Sequence, residues 1–318
     1  MKEIERYLAE EIATDYGDGI VNRREALRRL ALLGLEVGAA SALLAACSST
    51  SGPATTSSAG PHASAAPSAA ASASSAPSAS ASAPQVADLP PSTPTTAITF
   101  AGAEARKLQG AWATADAPHG AILVIHENKG LTPHIMNVAG RLAAAGFAAL
   151  AIDLLSEEGG TASLGDPANA TAALGKVQPD RFVADMRSGL DELAKRAPGK
   201  KLGAMGFCFG GGMTWRLVGA KDDRLRAAIP FYGPFPEGAD FKGTKAAVMA
   251  MYAALDKRVN GTKDTAESKL KEAGATYEIN VFDGADHAFF NDTRPEVYDP
   301  SASNVAFADT VELFRTLT

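Results

Sequence analysis

The run Gly206-Phe-Cys208-Phe-Gly210-Gly-Gly212 sets a single thiol among glycines. A thiolate at that position could attack a carbonyl carbon, and such a nucleophile needs a base, which in turn needs an orienting acid. The run joins a strand-like segment, residues 201–207, to a helix-like one, residues 209–218. In a strand–turn–helix of this kind the nucleophile sits on a strained turn. The residues two before and two after it must be small for strand and helix to approach. The free N–H groups and positive end of the new helix would face the sulfur, favouring a thiolate and a developing oxyanion. The competing reading, an inert buried cysteine beside a glycine-rich turn, has the general burial of free cysteines in its favour.

Five histidines are available as base: His62, His119, His126, His134 and His287. His62 lies in a low-complexity stretch, and His119 precedes the first apolar run, at the wrong end of a strand for catalysis. His287 follows the strand-like Tyr277–Phe282 and falls in the last loop before the final helix. Asp256, just after the apolar run 246–252, completes the order nucleophile, acid, histidine. Asp283 and Asp286 share the loop of His287 and are expected to shape or cap it. Glu127, in Ile125-His-Glu-Asn-Lys-Gly-Leu131, is a carboxylate at the carboxyl end of a buried strand, where it faces the crevice. His126, Glu127 and His134 match no helix-borne zinc spacing, so neither a metal nor any other cofactor is expected.

Glu127, the Cys208 elbow, Asp256 and the stretch His287-Ala-Phe-Phe-Asn-Asp-Thr-Arg-Pro-Glu-Val-Tyr-Asp299 occur in an order that resembles the dienelactone hydrolase family. The resemblance spans about residues 96–318. It implies a Cys208–His287–Asp256 triad, with Glu127 interacting with the resting thiol and the backbone N–H groups of Phe209 and Asn128 forming the oxyanion hole. It also implies arginines that hold a substrate carboxylate, one of them shortly after the histidine. Here that place reads Ala288-Phe-Phe-Asn291 and the nearest arginine is Arg294, so a neutral ester or lactone is the expected substrate. Tyr232, Phe289 and Arg294 are candidate pocket residues, with Phe209, Phe235 and Phe290 as further aromatics that could line a pocket or fill a core.

These residues must be positioned by something, and the domain reads as alternating strands and helices. The all-apolar run 121–125 suits a strand buried on both faces, 147–152 is the next buried strand, and 201–207, 227–232, 246–252 and 277–282 supply further strands. Helical patterns fit at 138–145, 181–196, 209–218, 263–273 and 303–317, and 98–100 with 108–113 fit initial antiparallel strands. The expected fold is an α/β-hydrolase, a mostly parallel central sheet with helices on both faces and ligands at the strand ends.

Upstream, three features follow one another. Arg23-Arg24 precedes a weakly apolar run that ends Leu44-Ala-Ala-Cys47, and this resembles a twin-arginine lipoprotein signal with Cys47 as the lipidated residue. Residues 1–20 make an unusually long preface to it. From Ser48 to Pro84 every residue except His62 is Ala, Ser, Thr, Pro or Gly, a composition too poor in apolar surface to order itself. The expected organisation is therefore a signal at 1–47, a tether at 48–95 and the catalytic domain at 96–318. The protein is expected to be exported to the cell envelope, anchored to the membrane by lipid, and monomeric. A net charge of −6 without basic clusters gives no reason to propose nucleic-acid binding.

The expected activity is hydrolysis of a small-molecule ester or lactone through a thioacyl intermediate. Thioester hydrolysis or acyl transfer could run on the same scaffold. A non-catalytic binding lipoprotein is the alternative from another class.

Overall fold

The computed structural model describes residues 2–48 and 89–317. The greater part of the expected tether, residues 49–88, lies outside the described residues. Three helices come first: α1 (Glu3–Gly17), α2 (Arg23–Leu32) and α3 (Val37–Ser48). The elements β1 (Thr96–Ala101), β2 (Lys107–Thr114), β3 (Ala121–Ile125), α4 (Pro133–Ala144) and β4 (Ala148–Asp153) open the main domain. It continues with α5 (Pro167–Lys176), α6 (Pro179–Arg196), β5 (Leu202–Phe207), α7 (Phe209–Gly219), β6 (Leu225–Phe231) and β7 (Ala247–Ala253). A short α8 (Lys257–Asn260), α9 (Lys263–Ala273), β8 (Tyr277–Phe282) and α10 (Pro300–Arg315) complete it.

The eight strands form one sheet in the order β1-β2-β4-β3-β5-β6-β7-β8. β1 and β2 pair antiparallel, as does β2 with β4, and every pairing from β4 to β8 is parallel. Strands β3, β4 and β5 are buried at every residue because helices cover both faces. Edge strand β8 has no buried residue; Glu278 and Val281 are exposed and its other positions are partly covered. The fold is that of an α/β-hydrolase, with the strand order reversing direction on either side of β3 so that the carboxyl ends of β3, β5 and β7 face one crevice.

Among the helices of the main domain, α4 and α5 differ most from the sequence-based expectation, and the short α8 was not expected. α4 starts five residues before the expected 138, at Pro133, which supplies the fixed φ favoured in a first turn. α5 was not expected; its run Pro-Ala-Asn-Ala-Thr-Ala-Ala-Leu-Gly-Lys carries too little apolar periodicity to announce itself, and the Asp166 side chain caps it by accepting from the Ala168 N–H.

The amino-terminal segment folds as well. The weakly apolar run divides at Gly34 (φ 90°) into α2 and α3, with Cys47 in the last turn of α3. Ala9, Ile12, Ala13, Ala26, Leu30, Ala40 and Leu44 make a small core of their own, while Ile4, Tyr7 and Leu8 of α1 join the main core. α1 is thus a bridge with two apolar faces. Among the described residues no helix is long and apolar enough to cross a membrane.

Candidate active site

Cys208 stands between β5 and α7 with φ 56° and ψ −117°, a left-handed conformation that a non-glycine residue holds only under tertiary constraint. Two glycines make that turn possible. A Cβ on Gly206 would lie 2.3 Å from the carbonyl oxygen of Gly210, and one on Gly210 would lie 2.4 Å from that of Ile125. Strand β3, the elbow and the first turn of α7 are therefore in direct backbone contact. The Cys208 N–H donates to the Phe231 carbonyl at 3.0 Å, tying the turn to β6 as well. Phe209 is the first residue of α7, so its N–H is among the donors that a helix leaves without an internal partner.

His287 Nδ1 lies 2.5 Å from Asp256 Oδ2. The other carboxylate oxygen of Asp256 accepts from the Val259 N–H at 3.0 Å, capping α8 and fixing the acid's rotamer. The His287 N–H donates to Asp286 Oδ1 at 2.7 Å, so Asp286 shapes the loop as expected. The imidazole packs edge-on against Tyr232, with ring centroids 5.1 Å apart, and Phe289 packs against the far side of Tyr232 at 5.4 Å. Both aromatics are fully buried, and Tyr232 backs the histidine. Phe290 belongs to an aromatic cluster with Phe207 and Phe231 in the core. Phe235 lines a cleft of about 360 Å³ beside α1, and Phe209 a smaller one. A larger cavity of about 690 Å³ lies between the end of β1 and α6 and contains none of these residues.

Glu127 is buried at the end of β3 and accepts from Asn291 Nδ2 at 2.8 Å. Thr293 donates to the Asn291 Oδ1 from both its N–H and its hydroxyl, which fixes the amide's orientation toward Glu127. His126 is committed elsewhere: Nδ1 meets the Glu127 carbonyl at 2.7 Å and Nε2 accepts from the Leu154 N–H at 3.1 Å. His134 pairs with Asp292 at 3.0 Å.

The partners of the thiol come from α1, where no catalytic contact was expected. The Tyr7 hydroxyl is 3.2 Å from Cys208 Sγ, and Sγ is 3.4 Å from Glu11 Oε1. The same Glu11 oxygen lies 3.2 Å from His287 Nε2, an ion-pair distance, although Nε2 makes no well-aligned hydrogen bond. The ligand atoms of Glu11, Cys208 and His287 all fall within 4.8 Å of one another. The second oxygen of Glu11 is held by Arg258, whose guanidinium lies 4.7 Å from the ring centre of Tyr7. In this arrangement Glu11 takes the contact with the resting thiol that was expected of Glu127.

This arrangement distributes protons against catalysis. Burial pushes the Cys208 thiol up and the nearby Glu11 carboxylate adds to the effect, outweighing His287. That direction is opposite to the lowering expected from a helix terminus, because desolvation and an adjacent anion both disfavour the thiolate. Burial alone would push His287 down, but Glu11 and Asp256 together carry it well above the ordinary imidazole range. Burial likewise opposes the ionised Glu11 carboxyl, yet His287 and Arg258 hold it well below the carboxylate range.

Arg258 bears on the charge of the group that the crevice can hold. No arginine directly follows His287, but Arg258, two residues after Asp256, brings a guanidinium to the same crevice and grips a carboxylate there. Arg294 lies 2.9 Å from Glu296 and 3.8 Å from Asp15 of α1. Tyr7, Glu11, Arg258 and Asn291 were not singled out from sequence. The one available signal was the length of the preface, residues 1–20, with Ile4, Leu8 and Ile12 at helical spacing.

Comparison with known proteins gives the family and the fold. A family model described as the dienelactone hydrolase family matches residues 108–318. The "Putative carboxymethylenebutenolidase" of Escherichia coli O157:H7 is 30% identical over 203 residues, covering 59% of this chain and 74% of its own. Protein usf of Aquifex pyrophilus is 32% identical over 224 residues, covering 66% and 93%. Among solved structures, a "Putative Dienelactone Hydrolase" from Klebsiella pneumoniae superposes with a TM-score of 0.60 at 25% identity, over 69% of this chain and 98% of that one. A dienelactone hydrolase-like promiscuous phosphotriesterase from metagenomic libraries gives 0.61 at 24% identity over 70% and 99%, a likeness of fold.

Proposed function

The chain belongs to the dienelactone hydrolase family and is a hydrolase acting on esters or lactones, and from that premise we propose that it works through a Cys208–His287–Asp256 triad. The observation that carries this reading is the 2.5 Å contact between His287 and Asp256 with Cys208 Sγ grouped beside the same imidazole. His287 Nε2 takes the thiol proton, and Sγ attacks the carbonyl carbon. The oxyanion forms against the N–H groups of Phe209 and Asn128. His287 then returns its proton to the leaving alkoxide, giving a thioacyl enzyme, and afterwards activates a water that releases the acid. Glu127, set by Asn291, is the acidic residue that assists activation once substrate has entered.

Arg258 favours a substrate that carries a carboxylate, since it already grips one within the crevice. The amino-terminal segment is read as a lipoprotein signal with Cys47 as the anchor, and the domain as a cell-envelope enzyme. Loss of the lipid label in Cys47→Ser would support the anchor; an unchanged label would remove it.

Hydrolysis of p-nitrophenyl esters and lactones by Cys208→Ala tests the triad. The expected outcome is loss of turnover with the circular dichroism spectrum retained, and a thioacyl adduct on Cys208 in the parent protein during turnover. Turnover that survives the substitution would overturn the reading.

A further inference from the structure

α1 contributes two side chains to the space that a substrate must occupy. Attack on a carbonyl requires the carbon to come within about 3.5 Å of the sulfur. Tyr7 and Glu11 already stand at 3.2 and 3.4 Å from Sγ, and Cys208 is only 3% exposed. No ester reaches the thiol while α1 is docked.

The docking is built for this place. Glu3, Glu11 and Asp15 of α1 meet three arginines of the main domain: Arg216 at 2.6 Å, Arg258, and Arg294 at 3.8 Å. These arginines come from α7, from the start of α8 and from the loop after His287, the elements that carry the triad. Ile4, Tyr7 and Leu8 enter the main core between the charged contacts. An adjoining face of α1, with Ala9, Ile12 and Ala13, packs on the small core shared with α2 and α3, which ties the three helices into one unit.

We propose that α1 is an intramolecular plug: residues 2–48 hold the hydrolase closed, and its activity appears when this segment leaves the crevice. The inference rests on the hydrolase reading for its consequence, though the closure itself is a matter of access to one thiol. Glu11 serves as a carboxylate stand-in that occupies Arg258 and fixes His287 in its charged form. The plug lies ahead of Cys47, so cleavage before that residue, as lipoprotein processing would make it, severs α1 from the domain and opens the site.

The test uses the full chain with Cys47→Ser, which leaves Cys208 as its one thiol, and measures alkylation by iodoacetamide beside hydrolysis of p-nitrophenyl acetate. Leu8→Asp and Glu11→Ala weaken the apolar and the charged contact separately. A third form carries a protease site inserted between Ser48 and Pro84 and is cut after folding. The expected result is a rise of at least about tenfold in alkylation rate in both substituted forms and after cutting, with hydrolysis rising in parallel. Alkylation unchanged in Leu8→Asp and Glu11→Ala, with α1 shown to be displaced in Leu8→Asp by new tryptic cleavage at Arg6, would overturn the plug. A fall in hydrolysis in Glu11→Ala below a measurable parent rate would also overturn it, by making Glu11 a working part of the site. Faster alkylation with no hydrolysis in any form would support the plug and sink the hydrolase reading instead.

Discussion

Glu11 Oε1 lies 3.2 Å from Nε2 of His287, the ring nitrogen that a base must turn toward Cys208. Asp256 holds the other ring nitrogen, so the imidazole sits between two carboxylates that both favour its charged form. Asp256 belongs to the main domain, whereas Glu11 is brought by α1.

That relationship sets a pH profile. His287 is faced by Glu11 from α1, by Asp256 and Arg258 from the end of β7, and by Cys208 from the elbow; Asp18 lies farther along the same segment. The two carboxylates raise its pKa, so the imidazolium persists to higher pH and the free base appears only above it. Glu11→Gln removes one anion and should move the acidic limb of the kcat/KM profile to lower pH by about one unit. A limb that stays in place would show that Asp256 alone sets the titration.

Asp256→Asn should lower kcat by about 10³–10⁴-fold with little change in KM. Asparagine can still cap α8 through its oxygen, but its amide then faces His287 Nδ1 as a donor. The imidazole would be driven to the tautomer with its proton on Nε2, which cannot accept from the thiol. Steady-state kinetics on a chromogenic ester, with the Tm as a control for folding, reads the effect.

Asp292 offers a stability test away from the reaction. It accepts from His134 and Arg141, which with burial working against them hold its carboxyl well below the ordinary range. A depressed carboxyl contributes stability that is present above its unfolded pKa near 4 and is lost as pH falls through the folded value. Asp292→Asn should cost about 2 kcal/mol at pH 7 and much less at pH 2. Urea unfolding at the two pH values checks this, and an equal loss at both would refute it.

Gly210→Ala should destabilise the domain by about 3 kcal/mol, because the new methyl would meet the Ile125 carbonyl at 2.4 Å and push β3 from the elbow. Since Glu127 and Asn128 follow Ile125, ester hydrolysis should fall even at temperatures where the variant is folded. Thermal melts and initial rates together give both readouts.

Local chemistry made much of this protein legible from its residues alone. The central strands announced themselves as apolar runs because burial on both faces leaves no polar position, and the elbow announced itself because only glycines fit where backbones touch. The order Cys208, Asp256, His287 placed the acid and base at successive strand ends, and the structure brings His287 and Asp256 within 2.5 Å. Contacts between segments far apart in the chain could not be read that way. Glu11 and Cys208 are separated by 197 residues, Glu127 and Asn291 by 164, and nothing in either neighbourhood encodes its partner. The charge state of the site followed the same division. A helix terminus predicts a lowered thiol pKa, but desolvation and a carboxylate delivered by α1 outweigh it, and only the tertiary fold decides which groups share a dry crevice. Sequence determined which groups were available for catalysis; the packing of α1 decided that, in this arrangement, they face one another with the substrate's place taken.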